Sequence, residues 1–349
     1  MNILVYGSGA VGGYLGGKLA HSGHDVTLVA RPVVAEAINS GGLLVTEGNK
    51  TIKSWPKAIT AVTRAFMDEN VNYDLIILTM KSYDLKAALD PLIAFCPQPP
   101  ALLTTQNGIG VEEIVANNVA AERITSAAIT IPISKETANH LIVESGSRGI
   151  GLAPVKARTS VQQWVNLWQQ AGLNTHALDD YRAMKWSKAL LNMMGNATSA
   201  ILNRSPAVLY KSSAIFELEV TMLREALRVM RALNLKPVDL PGAPTKRLVL
   251  GIRTLPQFLL QPVLTRLLAQ GGRGDKMPSF HTDLTAGKGK SEVIFHNGAV
   301  ARLGRQHNIA TPVNAALTDI LLKLVREELD WRDYDGNPKR LLADVRRYR

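Results

Sequence analysis

Lys188, Asn192 and Asn196 recur every four residues within Trp186-Ser187-Lys188-Ala189-Leu190-Leu191-Asn192-Met193-Met194-Gly195-Asn196. On a helix that spacing sets an ammonium and two amides on one face of an otherwise apolar stretch. Such a stripe can wall a polar substrate, with Lys188 donating a proton to an oxygen that gains charge. The competing reading is a lysine and two asparagines turned to solvent. Further along, Glu292 follows Ser279 and Asp283. Alone, Glu292 would pass as an exposed helical carboxylate.

A second constellation opens the chain. The apolar run 3–6 leads into Gly7-Ser8-Gly9-Ala10-Val11-Gly12, an apolar helical pattern follows through Leu19 and Ala20, and a second apolar run occupies 26–30. Strand, G-x-G-x-x-G, helix and strand at this spacing form the dinucleotide-binding fingerprint. Gly7 permits the tight turn, Gly9 lets the backbone approach a pyrophosphate, and Gly12 lets helix and strand pack closely. The helix start then offers N–H groups and a positive dipole end to the phosphates. Arg31 ends the second run, where NAD sites usually carry an acid for the ribose 2′-hydroxyl. A guanidinium there suits a 2′-phosphate through paired charge-assisted hydrogen bonds. Asp25, at the start of that strand, is poorly placed for the ribose. The expected cofactor is NADP(H) rather than NAD(H); the plainer alternative is a solvated arginine before Pro32.

Residues 75–80 and 101–105 are near-continuous apolar runs of the kind buried on both faces of a parallel sheet. Lys81 and Asn107 follow them, and ligands of open α/β sheets lie beyond the carboxyl ends of strands. Lys81 is thus placed for a cofactor phosphate, ribose or substrate carboxylate. Asn107 is placed for the nicotinamide side, although Asn107-Gly108 is also an ordinary turn. Runs 124–133, 141–143 and 150–152 read as further strands. The stretch 161–171 reads as a helix whose Trp164 and Trp168 pack into a core. Asp180 can cap a long helix through residue 201, and 214–233, 288–307 and 313–326 read as helices. The expected fold is α/β: an N-terminal Rossmann-type doubly wound domain, 1–178, followed by a mainly α-helical C-terminal domain, 179–349, for substrate binding and dimerisation. The stretch 236–278 is punctuated by proline and glycine and carries Arg247, Arg253, Arg266 and Arg273; its apolar run 255–268 reads as core packing or a homodimer contact, ahead of a membrane-surface element.

A length of 349 residues accommodates two such domains. The opening residues lack a basic n-region and an apolar h-region, and no long apolar run suggests a span, so neither signal peptide nor membrane partner is expected. Cys96, the single cysteine, excludes an internal disulfide and a cysteine-rich metal site, and it reads as a buried, inert thiol. No metal is expected, and a reducing cytoplasm fits this usage. The net charge of +11 is spread along the chain and reads mainly as general surface charge, with attraction for anionic substrates; nucleic-acid binding would rest on net charge alone and is not expected.

With these motifs in order, the chain resembles the ketopantoate reductase family (2-dehydropantoate 2-reductases) over nearly its whole length. The resemblance runs through Gly7 to Gly12, Arg31, Lys81, Gln106-Asn107-Gly108-Ile109-Gly110, Trp186-Ser187-Lys188 with its asparagines, and Pro278-Ser279-Phe280-His281-Thr282-Asp283. It closes with Ser291-Glu292-Val293-Ile294-Phe295-His296-Asn297-Gly298 and Ala310-Thr311-Pro312-Val313-Asn314. The opening motif is shared by many dehydrogenases; the Lys188 and Glu292 motifs in this order are far more specific. The resemblance implies NADPH-dependent reduction of 2-dehydropantoate to pantoate for pantothenate synthesis. It makes Lys188 the catalytic acid, and Glu292 the residue that positions substrate and lysine network. Asn192 and Asn196 would bind the substrate's hydroxyl and carbonyl region, and Ser279 its carboxylate. Lys81 and Asn107 would contact the cofactor near the reacting ring.

Three departures stand out: one extra residue within Gly287-Lys288-Gly289-Lys290, a longer 236–278 stretch, and no clear match for a further substrate asparagine, for which Asn203 is a loose candidate. They keep open a reductase of another 2-oxo acid. A β-hydroxyacid-type dehydrogenase and a non-catalytic NADPH sensor are the other readings; the Lys188 and Glu292 motifs speak against the sensor. Hydride transfer would place the site in a cleft between the domains, with a hinge near residue 178.

Overall fold

The computed structural model describes residues 1–67, 72–144, 148–270 and 276–348. Arg273 of the basic stretch 236–278 lies outside them. The chain forms two compact units, Met1–Lys185 with Asp239–Pro244, and Trp186–Val238 with Thr245–Arg349.

Among the described residues the first unit contains twelve strands: β1 (Asn2–Tyr6), β2 (Asp25–Val29), β3 (Leu43–Glu47), β4 (Lys50–Ser54), β5 (Lys57–Ile59), β6 (Leu75–Leu78), β7 (Ala101–Thr104), β8 (Ile124–Ile129), β9 (Ile133–Thr137), β10 (His140–Val143), β11 (Ile150–Pro154) and β12 (Thr175–Ala177). Eight form one sheet in the order β12-β11-β8-β7-β6-β1-β2-β5. All its pairings are parallel except β8 with β11. Every residue of β6 and β8 is buried, as expected of strands covered on both faces. Strand order reverses at β1, so the carboxyl ends of β1 and β6 flank the switch point where such sheets bind ligands.

The expected strand 124–133 is corrected to two. β8 stops at Ile129 and β9 starts at Ile133, in a four-stranded sheet of order β4-β3-β10-β9. Between them the Thr130 hydroxyl donates to the carbonyls of Gly149 at 2.9 Å and Pro241 at 2.7 Å, pinning the crossover. The helix Ala10–His21 lies against both sheets. A methyl on Gly16 would stand 2.7 Å from Leu28 of the large sheet, and one on Gly13 would stand 2.8 Å from Leu141 of the small one. Trp164 and Trp168 pack into the core from the helix Gln162–Gln170. No helix among the described residues is long and apolar enough to cross a membrane.

The second unit is helical, built on Ser213–Ala232 with Asn297–Gln306 and Pro312–Val325 packed on it. Two of its buried carboxylates, Glu219 and Glu225, serve helix ends. Glu225 accepts from the backbone N–H groups of Val313 at 3.1 Å and Asn314 at 3.0 Å, in the first turn of Pro312–Val325. Asp180 caps the helix Tyr181–Met193 as expected, accepting from Arg182 N–H at 2.8 Å. That helix, however, ends at Met193 rather than at 201. Gly195 takes φ +65°, its N–H donates to Glu219 at 2.8 Å, and a separate helix, Asn196–Leu202, begins. The expected helix 288–307 is likewise shortened. Gly287 and Gly289 have φ of +60° and +63°, Ser291 is extended, a short 3-10 turn covers Glu292–Phe295, and the helix proper is Asn297–Gln306. On Gln257–Gln270, Leu260 and Leu264 are buried while Phe258, Leu259 and Val263 stay exposed.

Candidate active site

The glycine turn is shaped by hard contacts. Gly7 has φ +114°, a region that favours glycine. A methyl on Gly12 would stand 1.9 Å from the Gly7 carbonyl oxygen and 2.4 Å from Thr79 Oγ1, whereas one on Gly9 would meet nothing within 4 Å. Gly9 therefore borders open space at a helix start that no side chain caps. Gly7 and Gly12 answer to the protein's own packing, whereas a side chain on Gly9 would meet no protein atom. Such a turn fits a dinucleotide pyrophosphate. Gly12→Ala should accordingly destabilise the first unit by about 1–3 kcal/mol or more, since the obstructing atom is backbone; a urea titration checks this.

Thr79, just past β6, was not singled out from sequence. Its hydroxyl donates to the carbonyls of Tyr6 at 3.1 Å and Gly7 at 2.5 Å, fastening the fingerprint to the neighbouring strand end. Lys81 follows as the N-cap of the turn Ser82–Asp84, and it is half-buried. The Ser82 hydroxyl donates to the Asn107 carbonyl at 2.7 Å. Gly7, Lys81 and Asn107 are thus brought to adjoining strand ends of β1, β6 and β7. Asn107 itself is exposed, and Gly108 and Gly110 take φ of +96° and +95° around it.

Beneath this loop lies a network that sequence reading also missed. Lys185 Nζ sits 3.1 Å from Glu112 Oε1, with both side chains at least 97% buried. The same ammonium donates to the Gln106 carbonyl. Glu112 also accepts from the hydroxyls of Thr104 at 2.8 Å and Ser126 at 2.7 Å. A lysine three residues before Lys188 and a glutamate in a short helix gave no signal apart from their polarity.

In the second unit Lys188 and Glu292 are both buried, with 6% and 2% exposure, so neither is the solvated helical residue of the plainer reading. Asn192 is half-buried on the same helix as Lys188. Asn196 departs from the expected stripe, because it starts the following helix. Its Nδ2 donates to the Asn192 carbonyl at 3.1 Å and to Ser279 Oγ at 3.4 Å, and its Oδ1 accepts from the Phe280 N–H at 3.1 Å. The structure thus brings Asn192, Asn196 and Ser279 together, with Ser279 exposed at the start of Ser279–Thr285. Asp283 is buried and pairs with Lys288 at 2.5 Å, which ties down the segment bearing the extra residue. Asn203 is a helix C-cap at φ +51° whose Oδ1 accepts from His281 Nε2 at 2.8 Å and whose Nδ2 donates to Asp335 at 3.3 Å.

Arg31 is exposed and caps Pro32–Gly41 two residues beyond β2. Cys96 is half-buried, and burial pushes its thiol up, away from the thiolate a nucleophile needs. A cavity of about 710 Å³ in the second unit, lined by Arg224, Arg228, Arg231, Lys236 and Arg253, includes none of the candidate residues.

Comparison with known proteins places two family profiles on the chain. "Ketopantoate reductase PanE/ApbA" matches residues 3–154, and "Ketopantoate reductase PanE/ApbA C terminal" matches 180–325. The 2-dehydropantoate 2-reductase of Pyrococcus horikoshii is 30% identical over 320 residues, covering 91% of this chain and 95% of the relative. The crystal structure of a PanE/ApbA family ketopantoate reductase from Ralstonia eutropha JMP134 superposes with a TM-score of 0.77 at 23% identity, over 94% of this chain and 99% of that one. A D-mandelate dehydrogenase with NADH and anilino(oxo)acetate shares the fold equally, with TM-score 0.77, 22% identity and coverage of 94% and 99%.

Proposed function

The chain belongs to the ketopantoate reductase family, and we propose that it reduces 2-dehydropantoate to pantoate with NADPH. The observation that carries this reading is the burial of Lys188 within a family whose members act on 2-dehydropantoate. An ammonium is costly to bury, and a reaction that leaves charge on a ketone oxygen gives it a use.

NADPH supplies the hydride when bound, and Gly7, Ser8, Gly9, Ala10, Val11 and Gly12 would hold its pyrophosphate. Lys81 and Asn107 would hold the part near the reacting ring. Lys188 hydrogen-bonds the substrate's ketone oxygen and passes its proton there as charge develops. Glu292 orients substrate and lysine. Ser279 binds the carboxylate through its exposed hydroxyl, and Asn192 binds the hydroxyl. Asn196 acts one step back: with its amide bonded to Asn192, Ser279 and Phe280, it is better described as positioning those groups than as a substrate ligand.

An NADPH-oxidation screen across 2-oxo acids tests the substrate. The highest kcat/KM is expected for 2-dehydropantoate. A clearly higher value for another 2-oxo acid would replace it.

Two variants test the cofactor. Arg31→Ala should weaken NADPH by about ten- to hundredfold and NADH far less, the usual scale for a charged hydrogen bond. Equal affinity of the wild type for both would remove the basis for NADPH. Gly9→Ala should fold normally, because its methyl meets no protein atom, yet bind either nucleotide more weakly; unchanged nucleotide affinity would argue against a pyrophosphate at this turn.

A further inference from the structure

We propose that Lys135 is a second cation for the NADPH 2′-phosphate, acting with Arg31; this rests on the NADPH reading above. Lys135 lies on β9, in the small sheet, far in sequence from the fingerprint. Its Nζ nevertheless donates to the carbonyl of Ser8, inside the glycine turn, at 3.3 Å. It also lines a pocket of about 680 Å³ together with Arg31, Val33 and Thr137. Two cations from separate elements thus meet at one pocket beside the turn.

The surroundings favour an anion there. Burial, and then the neighbouring Arg31 charge, push the Lys135 pKa down, the direction expected when a cation has lost water and faces another cation. The acid on the rim, Glu136, sits 2.7 Å from His140 Nδ1. Among the described residues no carboxylate is paired with Arg31 or Lys135. A group of nearly two negative charges would relieve the repulsion and supply acceptors to both donors. Adenosine offers such a group at the 2′ position only when that hydroxyl is phosphorylated. The small sheet then gains a purpose: it carries a cation to the fingerprint turn.

The contact with Ser8 gives the rival explanation. Lys135 could simply brace the turn, and its loss would then weaken every dinucleotide alike. Binding measurements separate the two without catalysis. Adenosine 2′,5′-bisphosphate and adenosine 5′-monophosphate are titrated into the wild type, Lys135→Met and Lys135→Arg, and NADPH and NADH are titrated in parallel by fluorescence. Lys135→Met is expected to weaken the bisphosphate and NADPH by about tenfold, the low end for a charged contact at a half-exposed site, and to leave the monophosphate and NADH within about twofold. Lys135→Arg should retain most of the affinity. Added salt should erode the wild-type preference more steeply than that of Lys135→Met. Equal loss for all four ligands would assign Lys135 to bracing and overturn the proposal. So would a 2′-phosphate preference that survives Lys135→Met unchanged, leaving Arg31 and the NADPH reading standing. A wild type with no preference for the bisphosphate would overturn both.

Discussion

Lys188→Ala should yield a folded protein that still binds NADPH but turns over about 10²–10⁴-fold more slowly, the usual span for loss of a general acid. In the proposed reaction the ketone oxygen gains a full charge as hydride arrives. Water can protonate it, but only after the charge has formed without a positioned partner. The loss should therefore fall on kcat and on kcat/KM alike, because Lys188 matters most once charge has moved. Arg31→Ala supplies the contrast, with its loss confined to the NADPH terms. Lys188 is buried, so Lys188→Met serves as the control for packing: it keeps most of the side-chain volume and removes the proton donor. Both variants should show native circular dichroism and wild-type NADPH affinity. Normal turnover by either folded variant would assign the proton to another acid. Glu292→Gln, which keeps shape and removes charge, should impair both KM and kcat, as expected of a residue that orients substrate and lysine together.

What the sequence disclosed and what it withheld divide along physical lines. The glycine turn was legible because two of its constraints are local: a positive φ at Gly7 and the contact of Gly12 with the Gly7 carbonyl. The parallel strands β6 and β7 were legible because burial on both faces writes an unbroken apolar run. The edge strand β4 was missed, because its one-sided burial and lysines weaken the pattern. Thr79, Ser82 and Lys135 were missed for another reason. Each makes its informative bond to a residue distant in sequence, to Gly7, Asn107 and Ser8 respectively, and no local spacing records that. The asparagine stripe was half right. Lys188 and Asn192 share a helix, but Gly195 offers a left-handed turn and Glu219 takes its N–H, so Asn196 starts afresh and holds Ser279 in place. Periodicity alone could not reveal that a buried carboxylate from another helix would decide where this one ends.

Lys185→Met should cost the first unit about 3–5 kcal/mol of unfolding free energy, the range for breaking one side of a buried ion pair. Glu112 would remain buried with only the Thr104 and Ser126 hydroxyls against its Oε1 oxygen, and an unpaired buried charge is the expensive outcome. Glu112→Leu should cost a similar amount, because Lys185 would keep only the Gln106 carbonyl. The double variant Lys185→Met/Glu112→Leu decides the mechanism. With both charges gone, the desolvation penalty goes too, and the pair should recover much of the loss, giving a coupling energy of several kcal/mol in a double-mutant cycle. Additive losses would mean the two residues act through packing alone. Urea unfolding followed by fluorescence measures this directly. A second consequence separates this network from ordinary core packing. Lys185 is bonded to Gln106, next to Asn107, so the double variant should recover stability while losing the anchor of that loop. NADPH affinity should stay below wild type in the double variant even where its stability returns, and wild-type affinity there would show that the loop holds its shape without Lys185.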